Sequence, residues 1–201
     1  MALKYPELFK PLKIGGVTIK NRVVMTPMHL GGRMDSTGNM TEEVIDYYEA
    51  RAKGGFGLIT IESTVVYEQA KGGPRKPCLF DDAVIPSFKA VADRCHAYGA
   101  KVSIQLQHAG PEGNSKLTGY PLKAASAIAP SAGREIPEAM PTEEVYRLIE
   151  CYGDAARRMM RAVRSLKDLG IGSRAEAAEC ARMPVGQIVA RKEIKAWNID
   201  E

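Results

Sequence analysis

The spacing of apolar residues changes along this chain, and each change marks an element. Leu12-Lys13-Ile14 and Val17-Thr18-Ile19 alternate apolar and polar positions around Gly15-Gly16, which predicts a β-hairpin with a two-residue turn. Val23-Val24-Met25 is a short unbroken apolar run that stops at Thr26-Pro27, the pattern of a buried strand ending in a turn. Gly57 to Val66 is rich in β-branched residues and predicts a second strand, and Lys101 to Gln107 a third. Between the strands the period lengthens to that of a helix. Val44, Ile45, Tyr48 and Ala52 share one helical face behind a capping Thr41, with Glu42 and Glu43 in the first turn, where the helix dipole favours anions. Gly54-Gly55 supplies the stop. Phe88, Val91, Ala92 and Cys95 predict a second helix, opened by Pro86 and closed by Tyr98-Gly99-Ala100. The longest amphipathic pattern follows a capping Thr142 and runs through Val145, Leu148, Ile149, Tyr152, Ala156, Met159, Met160 and Val163.

Strands alternating with helices predict parallel pairing and right-handed crossovers, hence an α/β fold: a hairpin, then about three strand–helix units. A polar stretch from about Ala109 to Pro141, rich in Gly, Pro and Ser, reads as one long loop. After Val163 the pattern is different. Ser173-Arg174-Ala175-Glu176 is a capping box, Pro184 and Gly186 interrupt, and Val185 to Ile194 predicts a short helix. Residues 1–163 are therefore expected to form one unit, and 164–201 a divergent tail, helical or partly disordered.

Composition narrows the function classes. With 201 residues, 45% apolar and 26% charged, the chain suits an ordinary globular protein of one domain or slightly more. No stretch has the apolar length of a membrane helix, and Met1 to Pro6 lacks the apolar core of a secretory signal, so a cytoplasmic protein is expected. The net charge of +4 is scattered and argues against a nucleic-acid partner. Cys78, Cys95, Cys151 and Cys180 fit no zinc spacing and read as free thiols, and with only His29, His96 and His108 no metal site is expected.

In parallel α/β folds, ligands meet the C-terminal ends of the strands. Three clusters fall there: Thr26-Pro27-Met28-His29, Glu62-Ser63-Thr64, and Gln105-Leu106-Gln107-His108-Ala109-Gly110. Gln105 is the strongest candidate, because a glutamine on a barrel strand end is costly unless bonded. Met28 reads equally as core or as ligand contact. His29 reads as a loop cap or a site residue, His108 as a structural histidine, and Glu62 as an anchor for a neighbouring loop. His96 is given no function.

From Tyr5 to about Val163 these residues resemble the N-terminal part of the old yellow enzyme family of flavin oxidoreductases, nearest the branch of 2,4-dienoyl-CoA reductase and related NADH:flavin oxidoreductases. Leu8-Phe9-Lys10-Pro11-Leu12-Lys13-Ile14-Gly15 resembles the opening hairpin, and Asn21 to His29 the first barrel strand. Tyr47-Tyr48-Glu49-Ala50-Arg51-Ala52 with Gly57-Leu58-Ile59 resembles the first helix and second strand, and Gln105 to Gly110 the third-strand signature. Ala129-Pro130-Ser131 and Met140 to Glu144 resemble the next loop and helix cap.

The resemblance implies part of a (β/α)8 TIM barrel with FMN at its C-terminal rim. It implies that Thr26, Pro27, Met28 and His29 line the flavin, that Ser63 lies beside it, and that Gln105 meets its pyrimidine edge. It also implies NADH or NADPH as hydride donor and an enone or enoyl thioester as acceptor. The likeness stops near Val163. Leu166 to Ser173 does not resemble the fourth strand with its substrate-binding histidine motif, and Pro111 stands where many relatives carry a basic residue. The expectation is a truncated barrel that is inactive alone, and either marginally stable or assembled with a partner, including a second copy of itself. The rival expectation is a non-catalytic remnant or assembly subunit that completes its sheet with another chain.

Overall fold

The computed structural model describes residues 4–163 of the 201; the tail expected over 164–201, with its capping box and short helix, lies outside the described residues. After a 3₁₀ turn at Pro6–Phe9, β1 (Leu12–Ile14) and β2 (Val17–Ile19) pair antiparallel, with Ile14 opposite Val17. Gly15 takes a φ of +55°, which a residue without a side chain adopts freely, and so the turn closes in two residues.

The chain then alternates: β3 (Val24–Met25), α1 (Glu42–Lys53), β4 (Leu58–Val65), α2 (Ile85–Ala97) and β5 (Lys101–Gln107). A short helix α3 (Ser115–Thr118) and the paired strands β6 (Lys123–Ala124) and β7 (Glu138–Ala139) precede α4 (Thr142–Val163). β3, β4 and β5 form one parallel sheet in that order, with Met25 beside Ile59 and Ile59 beside Val102. The three β-branched runs therefore become the three adjacent strands that their spacing predicts.

One face of the sheet is packed. Met25, Ile59 and Ile61 are buried with Val44, Tyr48 and Ala52 of α1 and Phe88, Val91, Ala92 and Cys95 of α2, the two predicted helix faces. Burial of these side chains supplies the main drive to fold. Charge joins the two helices outside the core. Arg94 of α2 pairs with Asp46 at 2.5 Å, with Glu49 at 3.0 Å and with Glu42, all on α1. The other face is open among the described residues: Val24 is 42% exposed, and Thr60 and Ser103 satisfy each other's hydroxyls there at 2.8 Å.

Several local readings change. Thr41 precedes α1 without a side-chain cap; its carbonyl accepts the Val44 and Ile45 N–H groups, while its hydroxyl donates to Arg33 O. At α4 the same capping falls to the Pro141 carbonyl, which accepts from Glu144 and Val145, so Thr142 lies inside the helix. The buried face of α4 is Ala155, Met159 and Ala162 with Leu148, Cys151 and Tyr152, while Val145, Ile149 and Ala156 are exposed. Ion pairs flank this face. Arg158 reaches Asp82 at 2.8 Å, Arg161 reaches it at 2.5 Å, and Lys123 reaches Glu144 at 3.3 Å.

The stretch expected as a single loop, Ala109 to Pro141, contains α3 and the β6–β7 pair. Asn114 caps α3 by accepting the Lys116 and Leu117 N–H groups, and Gly119 ends it at φ +78°. Cys78, Cys95 and Cys151 are free, and burial pushes the first two thiols up to about 11 and about 12, so they stay protonated. Among the described residues no helix is long and apolar enough to cross a membrane.

Candidate functional site

Because β3, β4 and β5 run parallel, their C-terminal ends lie along one edge of the sheet. That edge receives Thr26 to His29 from β3, Ser63 from β4 and Gln105 from β5. The ladder slips between β4 and β5: Ile61 pairs with Ile104, but Thr64 pairs with Leu106. Glu62 and Ser63 together thus oppose Gln105 alone, a bulge of the kind that re-aims side chains near strand ends.

A buried carboxylate ties the tip of β3 to this bulge. Glu62 is 1% exposed, and its Oε1 accepts the Leu30 N–H at 3.1 Å. Its Oε2 lies 3.2 Å from His29 Nδ1. The loop-anchor reading of Glu62 holds, and the link to His29 is new. The sequence offered one clue, a lone carboxylate inside a β-branched run. From α1, the Tyr48 hydroxyl accepts the Glu62 N–H at 3.0 Å. Tyr48→Phe is expected to leave that buried amide unpaired and to lower stability by about 1–2 kcal/mol, measurable by urea unfolding.

Exposure settles some readings and revises others. Met28 is 54% exposed, so it is not a core residue. Thr26, His29 and Gln105 are exposed, and Pro27 and Ser63 partly so. The argument that burial forces Gln105 to find a partner is corrected: its side chain stands on the open face. His108 braces the turn that follows it. Its Nδ1 accepts the Gly110 N–H at 3.0 Å, and burial holds its pKa below the usual histidine value despite Glu144. Gln107, in the third strand-end cluster, has its Oε1 buried with no donor.

The loop after β3 is braced by Asp35. Its carboxylate accepts the Thr37 N–H at 2.9 Å, the Thr37 hydroxyl at 2.7 Å and the Asn39 N–H at 2.8 Å. Partial desolvation pushes Asp35 up, but these bonds outweigh it and hold its pKa at about 2, below the usual 3.8. A lowered native pKa stabilises above the unfolded value and is lost as pH falls through the native one. Asp35→Asn should therefore be less stable than the parent at neutral pH. The difference should shrink between about pH 4 and pH 2 in acid-unfolding curves.

The polar groups on this edge fit an isoalloxazine. Among the described residues the Gln105 amide and the Thr26 and Ser63 hydroxyls make no hydrogen bond to protein, so donors and acceptors stand free on this edge. Three parallel strands joined through helices define a fold class: a segment of parallel α/β strand–helix units with polar residues at the strand tips.

The family follows. The chain belongs to the NADH:flavin oxidoreductase / NADH oxidase family, whose model matches residues 7–164. It is similar to a metal reductase of Desulforamulus reducens, 36% identical over 155 residues, covering 77% of this chain and 23% of that protein. It is similar to an NADPH dehydrogenase of Halalkalibacterium halodurans, 36% identical over 156 residues, covering 78% of this chain and 45% of that one. The old yellow enzyme homologue of Zymomonas mobilis superposes with a TM-score of 0.71 at 29% identity, covering 79% of this chain and 46% of that structure. The chain thus spans from about a quarter to just under half the length of these relatives. The family's cofactor is FMN, with NADH or NADPH as hydride donor.

Proposed function

We propose that residues 1–163 supply one side of the FMN site of an oxidoreductase that moves hydride from NADH or NADPH, through flavin, to the activated C=C bond of an enone or enoyl thioester. The observation that carries this reading is the common edge shared by Thr26 to His29, Ser63 and Gln105, with side-chain donors and acceptors left free. FMN supplies the hydride-carrying chemistry when bound. The chain's own residues bind and orient. Main-chain groups of Thr26 to His29 and the Ser63 hydroxyl meet the ring's polar edge, the Gln105 amide pairs with its pyrimidine side, and exposed Met28 packs on its apolar part.

Titrating the full 201-residue chain with FMN, followed by flavin fluorescence, tests this. Saturable quenching is expected. No saturation up to about 1 mM FMN, where binding is worth only roughly 4 kcal/mol, would overturn it.

A further inference from the structure

Two demands meet on one nitrogen at the tip of β3. His29 Nδ1 accepts the Gly31 N–H at 3.0 Å, which needs a lone pair on that nitrogen. The same Nδ1 lies 3.2 Å from Glu62 Oε2, an approach that only a proton between them makes favourable. Glu62 is 1% exposed and its Oε2 has no donor. A buried carboxylate oxygen without a donor is costly, and a facing lone pair adds repulsion. One proton on Nδ1 removes both penalties. The Gly31 N–H would then be given up, and Gly31 is exposed, with nothing within 4 Å of where a Cβ would sit, so water can take that bond.

We propose that Glu62 is a positioning residue that draws the imidazole proton of His29 onto Nδ1, so that Nδ1–H donates to the buried carboxylate, and that without the carboxylate Nδ1 returns to Gly31. The surroundings isolate this pair. Among the described residues no Lys or Arg forms an ion pair with Glu62, which leaves the His29 imidazole as the group facing its Oε2. Facing it from α1 is Tyr48, whose phenol is kept protonated by burial and by the nearby negative charge. Behind that phenol, Cys95 of α2 stays a thiol. From β5 the bulge is opposed by Gln105, which carries no charge. The device works through the tip itself: Leu30 N–H is fixed on Oε1, so the state of His29 decides how Gly31 leaves the strand.

The location of the proton does not depend on FMN; its consequence for the cofactor rests on the flavin reading proposed above. An Nδ1–H held on a fixed carboxylate sets the tautomer and orientation of the imidazole at the rim. Nitrogen-15 NMR of the imidazoles in the full chain, with His29 assigned by the signal lost in His29→Asn, reads the proton directly. At neutral pH the wild-type Nδ1 is expected in the protonated range. In Glu62→Gln it is expected to be unprotonated, with the proton on Nε2 and the Gly31 amide slower to exchange with solvent. FMN affinity should also fall several-fold in Glu62→Gln. An unprotonated Nδ1 in the wild type, or the same protonated Nδ1 in both proteins, overturns the proposal. If Glu62→Gln does not fold, the wild-type spectrum alone decides. If FMN does not bind, the flavin reading falls and the NMR result still stands.

Discussion

Gly57→Ala is expected to lower stability by about 3 kcal/mol, near the upper end for overpacked sites, while Gly16→Ala leaves it almost unchanged. A Cβ on Gly57 would sit 2.5 Å from Asn21 Oδ1 and closer still to Asn21 O. Neither atom can yield. Asn21 is buried, its Nδ2 donates to Gly55 O at 2.7 Å, and its Oδ1 accepts the Val23 N–H at 3.1 Å. Gly57 is itself pinned between strands, donating to Val23 O at 2.9 Å and accepting from Lys101 N at 2.9 Å. The clash therefore falls where β3, β4 and β5 begin, and relief would slide β3 and its Thr26–His29 tip along β4. Gly16 has nothing within 4 Å of its would-be Cβ and no left-handed φ, so the same methyl is harmless there. Thermal unfolding followed by circular dichroism should show a fall of roughly 6–12 °C for Gly57→Ala. An unchanged midpoint would mean that the junction is looser than these distances require.

What the sequence disclosed divides along a physical line. The strands and the faces of α1 and α2 were legible because each has a single apolar stripe and one surface to bury it on. α4 has a wider stripe, and periodicity cannot say which half will be covered. Leu148, Tyr152 and Met159 were read correctly, but the rotation that buries Ala155, Met159 and Ala162 turns Val145, Ile149 and Ala156 outward. The two-residue strands β6 and β7 are too short to show alternation. For the site, residue type and strand position were enough to nominate Thr26 to His29, Ser63 and Gln105. The bulge that sets Ser63 against Gln105 leaves no trace in the pattern, since a one-residue slip changes neither composition nor apolar content. Glu62 was legible as an anchor, but its partner lies 33 positions away on another strand's tip.

Gln105→Ala should weaken FMN binding by about tenfold to a hundredfold while leaving the fold intact. The first half follows from chemistry. Removing the amide leaves the ring's pyrimidine edge facing apolar carbon, and one or two lost hydrogen bonds of about 1–1.5 kcal/mol each correspond to that range. The second half follows from geometry: Gln105 is exposed and bonds to no protein group among the described residues. Ser103→Ala is the informative contrast. Ser103 lies on the same face two positions earlier on β5, but its hydroxyl is already paired with Thr60 at 2.8 Å. Its loss should reduce stability slightly and leave FMN affinity within about twofold, because the affected bond joins protein to protein. Parallel FMN titrations of the two variants separate the outcomes. Equal affinity in Gln105→Ala and the parent would remove Gln105 from the site, and equal loss in both variants would show that the open face is recognised as a surface rather than through its strand tips.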